Sequence, residues 1–244
     1  MKILNSKQRN FNKELDNLLL RRKAKVHMNS VSVIKIINDV KKNGDKALLK
    51  YEKRFNRNRV IKPSSDHIAR SIKSLNPKVK KAIDVAYSRI YKFHSLQKFK
   101  NINYTDKLQN KLEYRYLPIE SVAIYVPGSS ASYPSSVLMN AVPAIVAGVK
   151  RIIMINPGYK GKQNPAVLYA AKLCGIKEIY SVGGPSAIAA VAYGTKKIKK
   201  VNKVVGPGNM YVAAAKKEVF GDVGVEGMIA GPSEVTIVGD RFSN

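Results

Sequence analysis

The spacing of apolar residues changes character part-way along the chain. Between residues 30 and 98 they recur at helical intervals. Val33, Ile36, Ile37 and Val40 fall at i, i+3, i+4 and i+7, and Asn29 or Ser30 is placed to cap that helix. Asn43-Gly44 ends it, and Asp45 is placed to open a second one with Leu48, Tyr51 and Phe55 on one face. Two further helices are predicted over about 65–75 and 77–98. Ahead of them, residues 6–22 read as a polar helix carrying a Leu18-Leu19-Leu20 patch. Residues 104–117 read as extended, because Leu108, Leu112, Tyr114 and Tyr116 stand at even spacing.

From residue 121 short β-branched runs alternate with helical segments. The run Val122–Val126 predicts a buried strand. A turn of Pro127, Gly128 and small hydroxyl residues follows. Pro134 then suits the first turn of a helix that carries Val137, Leu138, Ala141 and Ile145 and ends at Gly148. The alternation continues with strand Arg151–Ile155, helix Pro165–Leu173 and strand Glu178–Val182, which runs into Gly183-Gly184-Pro185-Ser186. Helix Ala187–Tyr193 comes next, then strand Lys203–Val205, the turn Gly206-Pro207-Gly208-Asn209 and a helix to Phe220. A last turn, Ala230-Gly231-Pro232, leads into the strand Val235–Val238. Strands separated by single helices specify βαβ crossovers and a parallel sheet. The fold class is therefore α/β, preceded by N-terminal helices. Three glycine-containing loops must then emerge together on the carboxyl edge of the sheet, where ligands of such folds sit. Taken singly each is ordinary turn chemistry; their convergence is what points to a cleft. No GxGxxG is present.

Composition narrows the class. The chain has 244 residues, 45% of them hydrophobic, enough for one large or two modest cores. No apolar run approaches the roughly 18–20 residues that span a bilayer, and the first 23 residues show no secretory leader. The single cysteine, Cys174, forms no internal disulfide and reads as a small buried hydrophobe; a reducing cytoplasm is the expected compartment. The net charge of +28 is concentrated early: residues 1–120 hold 30 of the 44 Lys and Arg but 10 of the 16 Asp and Glu. The lysines are spread over many helix faces, with no aromatic platform among them. No specific nucleic-acid partner is expected.

Candidate chemistry is sparse. The three histidines, His27, His67 and His94, have no metal-ligand spacing, and none follows residue 94. A proton-transferring histidine is therefore unavailable in the glycine-loop region. In the glycine-loop region Asn209 can cap its helix or bond a cofactor. Tyr125 can pack in the core or lie beside a ring. Ser233 and Glu234 follow a turn into a strand.

Five segments carry a resemblance: DVKKNGDKALLKYEKRFN (39–56), YVPGSSASYPSSVLMNAVPAIVAGVKRI (125–152), AAKLCGIKEIYSVGGPSAIAAVAYGT (170–195), VVGPGNMYVAAAKKEV (204–219) and IAGPSEVTIV (229–238). In that order they resemble the N-terminal part of the L-histidinol dehydrogenases. The resemblance implies two Rossmann-like lobes with parallel sheets, an intertwined homodimer, and NAD and zinc as cofactors. It implies oxidation of L-histidinol to L-histidine through the aldehyde. Tyr125 and Asn209 match NAD-contacting positions, and Ser233 matches a substrate-contacting one. Ser186 stands where the family has a glutamine that reaches NAD, and Ser129 replaces the second glycine of the family's PGG turn.

By the resemblance, residues 1–24 are a helical arm and 25–118 part of the substrate lobe. Residues 119–232 are the NAD lobe, and 233–244 a return into the substrate lobe, which is incomplete here. The family's Glu-His base and its zinc ligands lie past residue 244, so the chain alone is expected to be inactive. A same-family dehydrogenase of another small alcohol, such as a sulfonated diol, is the alternative enzyme. A non-catalytic binding or dimerisation module is the alternative of another class.

Overall fold

The computed structural model describes residues 4–17, 30–128, 133–158, 160–226 and 240–242. The Leu18-Leu19-Leu20 patch, His27, Asn29, Ser129 and the expected strand Val235–Val238 lie outside them.

Residues 11–17 form a short helix, α1. Helix α2 spans Ser30–Asn56 and contains the break expected at Gly44, whose φ of 51° and ψ of −129° are not helical. Both halves bury one face: Val33, Val40 and Leu48 are at most 1% exposed, and each such burial contributes about 1.5–3 kcal/mol. Phe55, expected on that face, is half exposed and stacks on Tyr51 with ring centroids 6.1 Å apart. Helices α3 (Ser65–Lys73) and α4 (Pro77–Ser95) begin at side-chain caps, where Ser64 accepts from the His67 amide and Asn76 from the Lys78 amide.

The stretch with even apolar spacing is an antiparallel hairpin of β1 (Ile102–Thr105) and β2 (Lys111–Tyr114). Asp106 shapes its turn by accepting from the amides of Leu108 and Asn110. Every strand position is exposed. The alternation therefore does not mark a buried face, because a two-stranded ribbon has no second layer over it.

The remaining elements build one doubly wound unit: β3 (Ser121–Tyr125), α5 (Pro134–Ala147), β4 (Arg151–Ile155), α6 (Pro165–Leu173), β5 (Glu178–Tyr180), α7 (Gly184–Tyr193), β6 (Lys203–Val205), α8 (Met210–Glu218) and β7 (Gly224–Val225). The five strands are parallel in the order β5-β4-β3-β6-β7. The chain winds outward from β3 to β5, then crosses back to β6, so the order reverses between β3 and β6. On one face α7 and α8 pack with α2 around Ala123, Ile153, Ile188 and Val204. On the other, α5 and α6 pack with α3 and α4 around Ile124, Met154, Leu138 and Leu168. The N-terminal helices thus share both cores with the sheet.

Several element ends of the doubly wound unit differ from the pattern by up to three residues, and partners distant in sequence account for two of them. Strand β5 stops at Tyr180 because the Ser181 amide leaves the ladder to donate to the Ile61 carbonyl at 2.7 Å. Helix α7 starts at Gly184, three residues early, because side chains from elsewhere in the fold receive its leading amides. No described helix is long and apolar enough to cross a membrane.

Candidate cofactor edge

The loops after β3, β4, β5 and β6 line the carboxyl edge of the sheet, and the strand order reverses between β3 and β6, the place where ligands of such folds sit. Four helices, α5 to α8, point their N-termini at this edge, and their heads differ; that of α6 is capped by Asn164, which accepts from the Ala166 amide at 2.8 Å. Helix α8 is capped by Asn209, whose Oδ1 accepts from the amides of Tyr211 and Val212, both at 3.1 Å. The Asn209 side chain is exposed, so the cap engages its oxygen and leaves its NH2 as a donor facing outward. Helix α5 begins after Tyr133 with no side-chain cap and with Pro134 in its first turn. Its head lies at the reversal point.

Helix α7 is closed from within. The Gly183 amide donates to Oε1 of Glu52 at 2.8 Å, and the Gly184 amide to the Tyr125 hydroxyl at 3.0 Å. Glu52 comes from α2, far away in sequence. Its other oxygen accepts from the Asn56 side chain at 2.7 Å. Tyr125, the last residue of β3, is 4% exposed. Burial, with Glu52 nearby, pushes its phenol up to about 12. Tyr125 thus supports the glycine turn from beneath and is not a free ring on the edge. Ser186 is 2% exposed and donates its hydroxyl proton to the Gly183 carbonyl at 3.1 Å, so its one donor is spent inside the turn.

A polar layer underlies these loops. Asn58 donates to the carbonyls of Val60 and Ser181 at 2.8 and 2.6 Å. The Asn156 amide group donates to the Val126 carbonyl at 2.9 Å, and Gln163 donates to the Asn156 carbonyl at 3.0 Å. On α8, buried Lys216 donates to the Gly206 carbonyl and to Glu226. Burial lowers the pKa of its ammonium. Glu52, Asn156 and Lys216 escape sequence reasoning because each acts on backbone that is distant in sequence or next to an unremarkable helix. The one available signal is a charged residue on the apolar face of a helix pattern: Glu52 stands four residues after core residue Leu48.

The remaining candidates stand apart. Ser233 and Glu234 lie outside the described residues. His67 and His94 sit on α3 and α4, where His94 Nδ1 meets Oε1 of Gln97 at 2.6 Å. The Cys174 thiol is buried and pushed up to about 12 by burial, which makes it unreactive. Among the described residues no three His, Cys, Asp or Glu side chains gather to hold a metal ion. A broad groove of about 1340 Å³ opens at the opposite, amino edge of the sheet, beside Arg151, Glu178 and Lys200.

A family model described as histidinol dehydrogenase matches residues 19–244. The chain belongs to the histidinol dehydrogenase family. A histidinol dehydrogenase of Pelagibacter ubique is 81% identical over all 244 residues, which are 57% of that protein. One from Mesorhizobium japonicum is 51% identical over 216 residues, covering 87% of this chain and 50% of the relative. The crystal structure of histidinol dehydrogenase from Elizabethkingia anophelis superposes with a TM-score of 0.79 at 41% identity, covering 82% of this chain and 47% of that one. The chain thus spans about half the length of these histidinol dehydrogenases.

Proposed function

We propose that this chain is the dinucleotide-binding half of a cytoplasmic, NAD-dependent histidinol dehydrogenase that oxidises L-histidinol to L-histidine through histidinaldehyde. The 81% identity to a histidinol dehydrogenase along the whole chain carries the reading. The strand-order reversal beside the head of α5 supports placing the dinucleotide in residues 119–232.

NAD supplies the hydride acceptor of such a reaction. The residues present fit it in two respects. The head of α5, where the Tyr133 side chain makes no cap, offers the positive end of a helix dipole to a pyrophosphate. Asn209 offers an outward NH2 to a ribose or carboxamide oxygen. Tyr125 and Ser186 would serve by holding the Gly183–Gly184 turn in shape. The zinc implied by the resemblance finds no ligand group among the described residues, and no step is assigned to it. A homodimer is in keeping with the exposed apolar positions Ile102, Tyr104, Leu112 and Tyr114 on the β1–β2 hairpin.

NAD titration of the purified protein tests the dinucleotide reading: saturable binding is expected, and its absence would overturn it. Residues 1–244 supplied with zinc, NAD and L-histidinol should form no NADH, since the resemblance puts base and metal ligands in the part of the family's length that this chain does not span. Steady turnover would refute that division of labour.

A further inference from the structure

Glu52 is a charged residue with 0% exposure, and no cation pairs with it among the described residues. Burial pushes its carboxyl up to about 7, against the opposing pull of the Gly183 amide and Asn56. The groups around it are few. Tyr125 faces it from β3, and α7 presents the amide of Gly183. On α8, Lys216 spends its ammonium on the Gly206 carbonyl and Glu226. An unpaired buried carboxylate lowers stability, and an apolar side chain could fill the same space. The hydrogen bonds supply the reason for the carboxylate. The leading amides of a helix are orphan donors. Glu52 takes that of Gly183 and Tyr125 takes that of Gly184, which sits at a φ of +66°. The head of α7 is thereby filled by the chain itself, while at α5 the Tyr133 side chain makes no cap.

We infer that Glu52 is a positioning residue of the dinucleotide edge: from α2 it pins the Gly183 amide and holds the Gly183–Gly184 turn over Tyr125. The inference rests on the dinucleotide reading above and adds a residue from outside the lobe to its site. The N-terminal helix is then part of the binding apparatus as well as of the core.

The test compares NAD dissociation constants of the wild type, Glu52→Gln and Glu52→Ala, with the amide resonances of Gly183 and Gly184 followed from pH 5 to 9. Glutamine keeps an acceptor for the Gly183 amide, and Glu52→Gln should bind NAD within about threefold of wild type. Glu52→Ala orphans that buried donor and should weaken NAD about tenfold, the equivalent of a lost buried hydrogen bond. In the wild type the Gly183 resonance should titrate with a midpoint near 7, and Glu52→Gln should abolish that titration. A folded Glu52→Ala with wild-type affinity, or a Gly183 resonance indifferent to Glu52→Gln, overturns the inference. If Glu52→Ala fails to fold, Glu52→Asp, one methylene short of Gly183, takes its place with the same expectation. If the wild type binds no NAD, the dinucleotide reading and the site role of Glu52 fall together. The Gly183 titration then reports separately whether Glu52 holds that amide.

Discussion

The Tyr125 carbonyl oxygen lies so close to Gly206 that a Cβ on Gly206 would stand 2.3 Å from it. The end of β3 and the turn after β6 therefore meet backbone to backbone at the strand-order reversal. Gly206 also holds a φ of +108°, which L side chains rarely adopt. Gly206→Ala should lower unfolding stability by about 2–4 kcal/mol through strain and displaced backbone. Urea denaturation measures this, and a loss below about 1 kcal/mol would mean the two loops part easily.

Glu52 makes stability depend on pH. Its folded carboxyl is raised from 4.5 to about 7, so the folded chain holds a proton that the unfolded chain releases. The resulting stabilisation is complete below the unfolded value and is lost as pH rises through about 7. Glu52→Gln removes that dependence. Relative to wild type it should become more stabilising as pH goes from 4 to 8, by on the order of 3 kcal/mol. Paired urea curves across that range check the sign, and a constant difference would place the titration elsewhere.

Asn209 has a cap role and a proposed cofactor role, and two variants separate them. Asn209→Ala removes the oxygen that accepts from Tyr211 and Val212 and should cost about 1 kcal/mol of stability. Asn209→Asp keeps the capping oxygen but loses the NH2 donor and adds a negative charge. It should retain stability within about 0.5 kcal/mol and weaken NAD about tenfold or more. Wild-type NAD affinity in Asn209→Asp would confine Asn209 to capping.

At the amino edge, Arg151 grips Glu178 with two bonds of 2.8 and 2.9 Å and donates to the carbonyls of Lys199 and Lys200. The planar guanidinium makes these bonds at once; an ammonium cannot. Arg151→Lys should cost about 1 kcal/mol, since the pair is partly exposed. It should also speed tryptic cleavage in the 196–200 loop. Unchanged cleavage would show that Ile198, fully buried, anchors the loop unaided.

Much of the fold is legible in the sequence because its signals are local. Apolar spacing marks α2 and α4, β-branched runs mark β3 and β4, and Pro134 and Gly148 bound α5 almost to the residue. The family was legible too, since several glycine- and proline-bearing segments in fixed order are far more specific than any one turn. The hairpin was legible as extended chain but not as exposed, because alternation does not say whether a second layer exists.

Amino-acid order thus determined the elements, the parallel sheet and the convergence of glycine loops, because backbone preference and apolar period act over a few neighbours. Only the tertiary structure decided which helix heads those loops leave open. Glu52 reaches Gly183 across 131 residues and Tyr125 reaches Gly184 across 59, closing α7, whereas at α5 the Tyr133 side chain makes no cap. A hydrogen bond depends on distance in space, and no local pattern in the chain encodes which carboxylate will meet which amide once the layers pack.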